Sequence, residues 1–140
     1  MGECDADLFA DSDVQAGLIV DLAMRTTTVV FLDEDSGASL EFSADDDVPT
    51  EDDYRSGAVG YCVVVNGGPV VYGGVEQVMV AAGGITVAFE SDAAEVLGIG
   101  RHVEIPVRPD GQARVRPSLW NILANTANGP GPKAPGFGRA

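Results

Sequence analysis

The 140-residue chain is poor in the residues that grip phosphate or do acid–base work: one lysine (Lys133), one histidine (His102), one tryptophan and two cysteines. One histidine, one lysine and no convergent polar motif argue against an enzyme. Lys+Arg number 8 against 22 Asp+Glu, a net charge of −14. A field of that sign repels phosphate backbones and anionic lipid, so neither nucleic acid nor a membrane surface is an expected partner. Cys4 lies in an acidic leader and Cys62 in an apolar run, settings that read as free thiols of a reducing compartment. No apolar run approaches the roughly 20 residues needed to span a bilayer. The opening "MGECDADLFADSDVQ" carries acids where a secretory signal is basic, and no apolar stretch comes after it. These features together place the expected location in the cytoplasm.

What is present is unevenly placed. Met1–Arg55 carries a net charge of −14, Ser56–Gly100 one of −4, and Arg101–Ala140 one of +4. Salt adaptation or a need for solubility would spread carboxylates over the whole surface. Here they gather in Asp45, Asp46, Asp47, Glu51, Asp52 and Asp53, six acids in nine residues with Tyr54 beside them. Like charges so close repel one another, and a basic partner relieves that repulsion. The bland alternative is a solvated loop. Asp45–Asp53 and Tyr54 are the candidate partner-binding residues, Tyr54 as an aromatic anchor.

Hydrophobic patterning gives the elements. Leu18–Met24 and Thr26–Leu32 are β-prone, the β-branched block from Thr26 to Val30 favouring strand over helix. A turn at Asp33–Gly37 precedes a half-buried strand carrying Leu40 and Phe42. Val59–Val65 is apolar on both faces, and Asn66–Pro69 turns the chain into Val70–Tyr72. Two glycine pairs interrupt the residues between Tyr72 and Ile85. Gly83–Gly84 reads as a two-residue hairpin turn, with Ala82–Gly83 giving the same buried face. Gly73–Gly74 has no change of polarity around it and reads as a bulge or sharp bend in a continuing strand. Asp92 and Glu95 have capping-box spacing ahead of Gly98, a helix over 92–97. Val103, Ile105 and Val107 alternate inward in a strand whose Pro106 marks an edge. Ser118 is placed to cap a second helix over 118–124.

The expected class is mainly β, α+β by a strict count: a twisted antiparallel sheet of about six to eight strands with two short helices. Residues 1–13 read as an acidic flexible leader, 14–124 as one domain, and 125–140 as a Gly/Pro-rich flexible tail.

Catalytic patterns are weak. Cys62 sits in an apolar strand and His102 at an outward strand position, which argues against a nucleophile–base pair. Asp33–Gly37 departs from the calcium-loop pattern at three positions. Phosphate-loop and dinucleotide glycine patterns are missing, since no helix starts at either glycine pair. No enzyme activity, cofactor or metal is expected, although an acid-rich chain always offers carboxylate pairs on which a small hydrolase could be built. A self-associating structural or regulatory β-module, pairing as a homodimer through the edge Arg101–Arg108, is the alternative to a partner-binding protein.

The segment Gly60 to Ile99 resembles the immunity protein 10 family of bacterial polymorphic toxin systems. Tyr61-Cys62-Val63-Val64 comes first, then Tyr72-Gly73-Gly74-Val75-Glu76, an alternating hairpin arm and a short Ala93–Gly98 helix. The resemblance implies a mostly β, non-catalytic, cytoplasmic protein that binds and neutralises a cognate toxin domain. A basic nuclease is one toxin that an acidic surface would suit. Tyr72, Gly73, Gly74, Val75 and Glu76 are then a structural motif rather than an inhibitory one.

Overall fold

A computed structural model describes residues 8–9, 14–23, 25–45, 61–123 and 136–139. In chain order these form β1 (Gln15–Asp21), β2 (Thr26–Leu32), β3 (Ser39–Asp45), β4 (Tyr61–Val65), β5 (Val70–Tyr72), β6 (Val75–Ala81), β7 (Gly84–Phe89) and α1 (Ser91–Leu97). Then come β8 (His102–Ile105), α2 (Pro109–Leu123) and β9 (Gly136–Arg139). The class is mainly β with two helices, as the patterning indicates.

The strands divide between two sheets, ordered β1-β2-β3-β4-β5 and β8-β7-β6-β9. The first is an antiparallel meander in unbroken register from Gln15↔Leu32 to Asp21↔Thr26 and from Thr26↔Asp45 to Leu32↔Ser39. Its turns are fastened by side chains. The Asp33 carboxylate, buried within its own turn, accepts from the Asp35 N–H (3.0 Å) and the Ser36 hydroxyl (2.9 Å). Asn66 holds the neighbouring turn, its side-chain oxygen accepting from the Ser39 N–H and its own N–H donating to the Ser39 carbonyl.

One core serves both sheets. Phe31, Phe42, Tyr61 and Phe89 are fully buried, with Phe31 and Phe42 meeting edge to face at 6.3 Å. Each such side chain contributes about 1.5–3 kcal/mol through removal from water. Phe9 joins them although the leader reads as loose; its large aromatic surface favours burial. Residues 1–7 and 10–13 lie outside the described residues.

Four further details differ from the patterning. The first helix starts at Ser91 with Glu90 as its N-cap and no side-chain cap bond, so Asp92 and Glu95 form no capping box. The β6–β7 turn is Ala82–Gly83, with Ala81 opposite Gly84. Gly84 stands in the strand because a Cβ there would collide with the Ile105 carbonyl oxygen. The second helix begins at Pro109, not Ser118. Proline is tolerated in a first turn, and Gly111 is needed because a Cβ would lie 2.9 Å from a Val107 methyl. Its buried stripe is Gln112, Val115, Leu119, Ile122 and Leu123, so packing overrides the breaking tendency of Gly111 and Pro117. Finally, Gly136–Arg139, expected in a flexible tail, runs parallel to β6 from Gln77↔Gly136 to Val80↔Arg139, where backbone bonding along an open edge orders it.

Gly73–Gly74 is where the chain leaves the first sheet and enters the second. Both have positive φ, 77° and 92°. Tyr61 clamps the crossing from both sides: its carbonyl accepts from the Gly73 N–H (2.9 Å) and its hydroxyl oxygen from the Val75 N–H (2.8 Å). The Gly74 carbonyl accepts from the Glu90 N–H just ahead of α1, and a Cβ at Gly74 would stand 2.5 Å from the Ala93 Cβ.

This crossing sets the response of the protein to substitution and to alkali. Gly74→Ala is expected to cost about 2–4 kcal/mol in urea unfolding, since it combines an unfavourable φ with a collision against α1. Tyr61→Phe leaves the buried Val75 N–H without an acceptor and is expected to cost about 1–3 kcal/mol at neutral pH. Burial raises the Tyr61 phenol from 10.0 to about 12; the Val75 bond opposes the rise and the Glu90 charge adds to it. The folded state therefore favours the neutral phenol. That contribution is whole below pH 10 and disappears as the pH rises from about 10 to about 12, a loss of roughly 2–3 kcal/mol relative to Tyr61→Phe in parallel titrations.

Candidate partner-binding surface

The Tyr72–Glu76 run has two faces. Val75 is buried and Gly74 is pressed against α1, whereas Tyr72 is half-exposed on the last strand of the first sheet. Glu76 sits at a register shift between Val75 and Gln77, and accepts from the Arg101 guanidinium at 2.9 Å. The same guanidinium reaches the Phe89 carbonyl at 3.3 Å, while the Phe89 N–H donates to the Arg101 carbonyl. Both partners of the ion pair are about half exposed, so water screens it.

Of the acidic cluster, Asp45 ends β3, and Asp46, Asp47, Glu51, Asp52, Asp53 and Tyr54 lie outside the described residues. Backbone register nonetheless fixes where the cluster starts. Asp21, Thr26 and Asp45 stand side by side across three strands. The chain thus leaves β3 for Asp46 at the same end of the sheet as the β1–β2 turn.

Among the described residues, two of the clefts flank the strands. One of about 220 Å³ is lined by Gln15, Arg108, Asp110 and Arg114 among others. The other, of about 260 Å³, lies along Gly83–Thr86 and Glu104–Pro106. Each holds one carboxylate, so neither offers the acid pair that glycoside or acid–base chemistry needs. Cys62 is half-buried in the first sheet and His102 is exposed on the second. Among the described residues no group of three His, Cys, Asp or Glu is placed to hold a metal ion, and no helix is long and apolar enough to cross a membrane.

A family model described as immunity protein 10 matches residues 14–114, from the residue before β1 into α2. The chain belongs to the immunity protein 10 family. No curated protein and no solved structure matches it. The match spans all of β1, β2 and β3, so the acidic sequence from residue 14 onward is part of the immunity protein 10 domain.

Within this immunity protein 10 domain, four exposed apolar side chains fall together on one strand and its turn, outside the family motif. Leu18, Ile19 and Val20 are 41%, 55% and 52% exposed, and Leu22 in the following turn is 85% exposed. Val70, Tyr72 and Val96 form a second exposed set on β5 and α1. The available signal was the run Leu18-Ile19-Val20, which puts apolar side chains on both faces of one strand. A central strand explains such a run equally well, and only the sheet order shows that β1 is an edge. β8 is also an edge, with His102 and Glu104 exposed and Val103 and Ile105 buried, but the carbonyl of the adjoining Pro106 accepts from the Val14 N–H. That bond shortens the open stretch on which pairing through Arg101–Arg108 would depend.

Glu76→Gln is expected to change stability by less than about 1 kcal/mol in thermal or urea unfolding, because the Arg101 pair is solvent-screened. A far larger loss would mean that the carboxylate carries the crossing from β5 to β6.

Proposed function

We propose that this chain binds a cognate bacterial toxin domain and neutralises it by covering part of its surface, in the cytoplasm and without catalysis. The family match over residues 14–114 carries this reading. Charge supports the kind of partner: a net −14, concentrated before Arg55, attracts a basic domain and speeds its approach. A nuclease fits, since a groove that binds phosphate is positive and an acidic surface competes for it. Asp45, Asp46, Asp47, Glu51, Asp52 and Asp53 steer the encounter, and Tyr54 supplies apolar contact beside them. Tyr72, Gly73, Gly74, Val75 and Glu76 act as scaffold.

The test is co-expression with the toxin domain encoded beside this chain, read as rescue of growth, and then association kinetics. Reversing Asp45, Asp46 and Asp47 to lysine is expected to slow association about tenfold at low salt, the difference shrinking above about 0.5 M salt. Unchanged rates and an unchanged salt dependence would remove the electrostatic role of this segment. Failure of the intact chain to protect or bind would remove the toxin-binding reading itself.

A further inference from the structure

Among the described residues the two sheets have four edges, and they are unequal. β5 is three residues long, β8 and β9 are four each, and β1 is seven. Proteins usually protect a long edge with lysine, proline, a bulge or an inward charge, because its unpaired backbone groups template another strand. From Gln15 to Val20 β1 has none of these, and its register with β2 is unbroken.

The direction of its backbone groups is fixed by the bonds around it. In an antiparallel strand each residue's N–H and C=O point to the same side, alternating along the chain. The Val14 N–H donates to Pro106, away from β2, and the Ala16 carbonyl faces the Arg114 guanidinium at a long 3.5 Å. Next door, the Asp33 N–H reaches the Ala38 carbonyl, so the odd-numbered groups of β2 face β3 and its even-numbered groups face β1. The odd-numbered residues of β1 are therefore the ones bonded to β2. Leu18 and Val20 direct two N–H donors and two carbonyl acceptors outward, and among the described residues no strand takes them. Their side chains share a face with Ala16, while Ile19 projects from the opposite one. Leu18 and Val20 lie opposite Val29 and Thr27, yet both are about half exposed.

We infer that the outer edge of β1 receives an extended segment of the toxin domain as an added strand, with Leu18, Ile19, Val20 and Leu22 packing against its apolar side chains. The inference rests on the toxin-binding reading and locates its contact. Charge selects the occupant. The strand ends at Asp21, in line with Thr26 and Asp45, and the sequence continues from Asp45 into five more acids before Tyr54. A second copy of this chain would bring another −14 to the interface, whereas a basic domain would lower the repulsion already there. Backbone pairing then supplies affinity that no acidic segment gives alone, and the side chains on both faces fix the register.

The decisive variant is Val20→Pro. It deletes an outward N–H and places a ring on the open edge, but removes no bond to β2, so proline is tolerated there. The probe is the toxin domain encoded beside this chain. Val20→Pro is expected to weaken its binding by about tenfold or more while the melting temperature stays within about 2 °C. Val20→Thr, which keeps the N–H and the β-branched shape, is expected to lose less than about threefold. Amide exchange in the complex is expected to slow at Leu18 and Val20. If the unaltered chain binds the toxin domain and Val20→Pro binds equally well, the edge is not the contact and only this inference falls. If the unaltered chain does not bind, both the inference and the toxin-binding reading fall. A dimer by light scattering that Val20→Pro converts to monomer would assign the edge to a second copy and overturn the choice of occupant.

Discussion

The architecture depends on how one chain segment passes from one sheet to another at Gly73–Gly74. The passage puts two consecutive residues at positive φ and would strand the Val75 N–H in the core, were it not for the Tyr61 hydroxyl. Tyr61 meets both ends of the glycine pair, and α1 closes over Gly74 through the Glu90 N–H and Ala93. The strands of the two sheets and the first helix are thus tied together within a few residues. A tyrosine suits this position because its ring fills the core while its oxygen remains available to a backbone donor.

The crossing also separates two kinds of surface. Before it, β1 to β5 form the meander, one end of which gathers Asp21, Thr26 and Asp45 in one row, and the sequence up to Arg55 carries most of the acid. After it come the smaller sheet and the two helices, α2 packing chiefly against β1, β2 and β3 of the first sheet, and the net charge of the sequence turns positive from Arg101 on. A protein polarised in this way presents different faces to a charged partner. The proposed capture of a toxin domain draws on the first of these surfaces, and each described cleft holds one carboxylate.

Binding by such a surface divides into an approach and a hold. Carboxylates act over a Debye length and raise the rate of encounter, with little effect on the strength of the final contact. The hold needs desolvated apolar area or directional hydrogen bonds. In the proposed binding mode the carboxylates that follow β3 serve the approach and the edge of β1 serves the hold, with Asp21 and Asp45 in one row at the end of the sheet towards which Leu18 and Val20 lead. The proposal of a basic partner for this immunity protein 10 domain rests on that division of labour.

Local chemistry made much of this legible from residues alone. β-branched runs marked β2, alternation marked β3, β7 and β8, Gly98 ended α1, and the Tyr72–Glu76 run carried the family resemblance that the match over residues 14–114 shows. These signals depend on near neighbours, so they survive without the fold. The helix from Pro109 was hidden because Gly111 and Pro117 break the local pattern; close approach to Val107 explains the glycine, and the buried stripe holds the helix together past the exposed proline. Which strands lie at the edges was equally hidden. The run Leu18-Ile19-Val20 describes a central strand as well as an open one, since side-chain polarity reports burial and not hydrogen-bond partners. The sequence by itself determined the class, the family and the charge. Tertiary structure alone decided that the diglycine joins two sheets, that Tyr61 holds the joint, and that β1 lies at an edge, because each depends on which distant residues come to share a hydrogen bond.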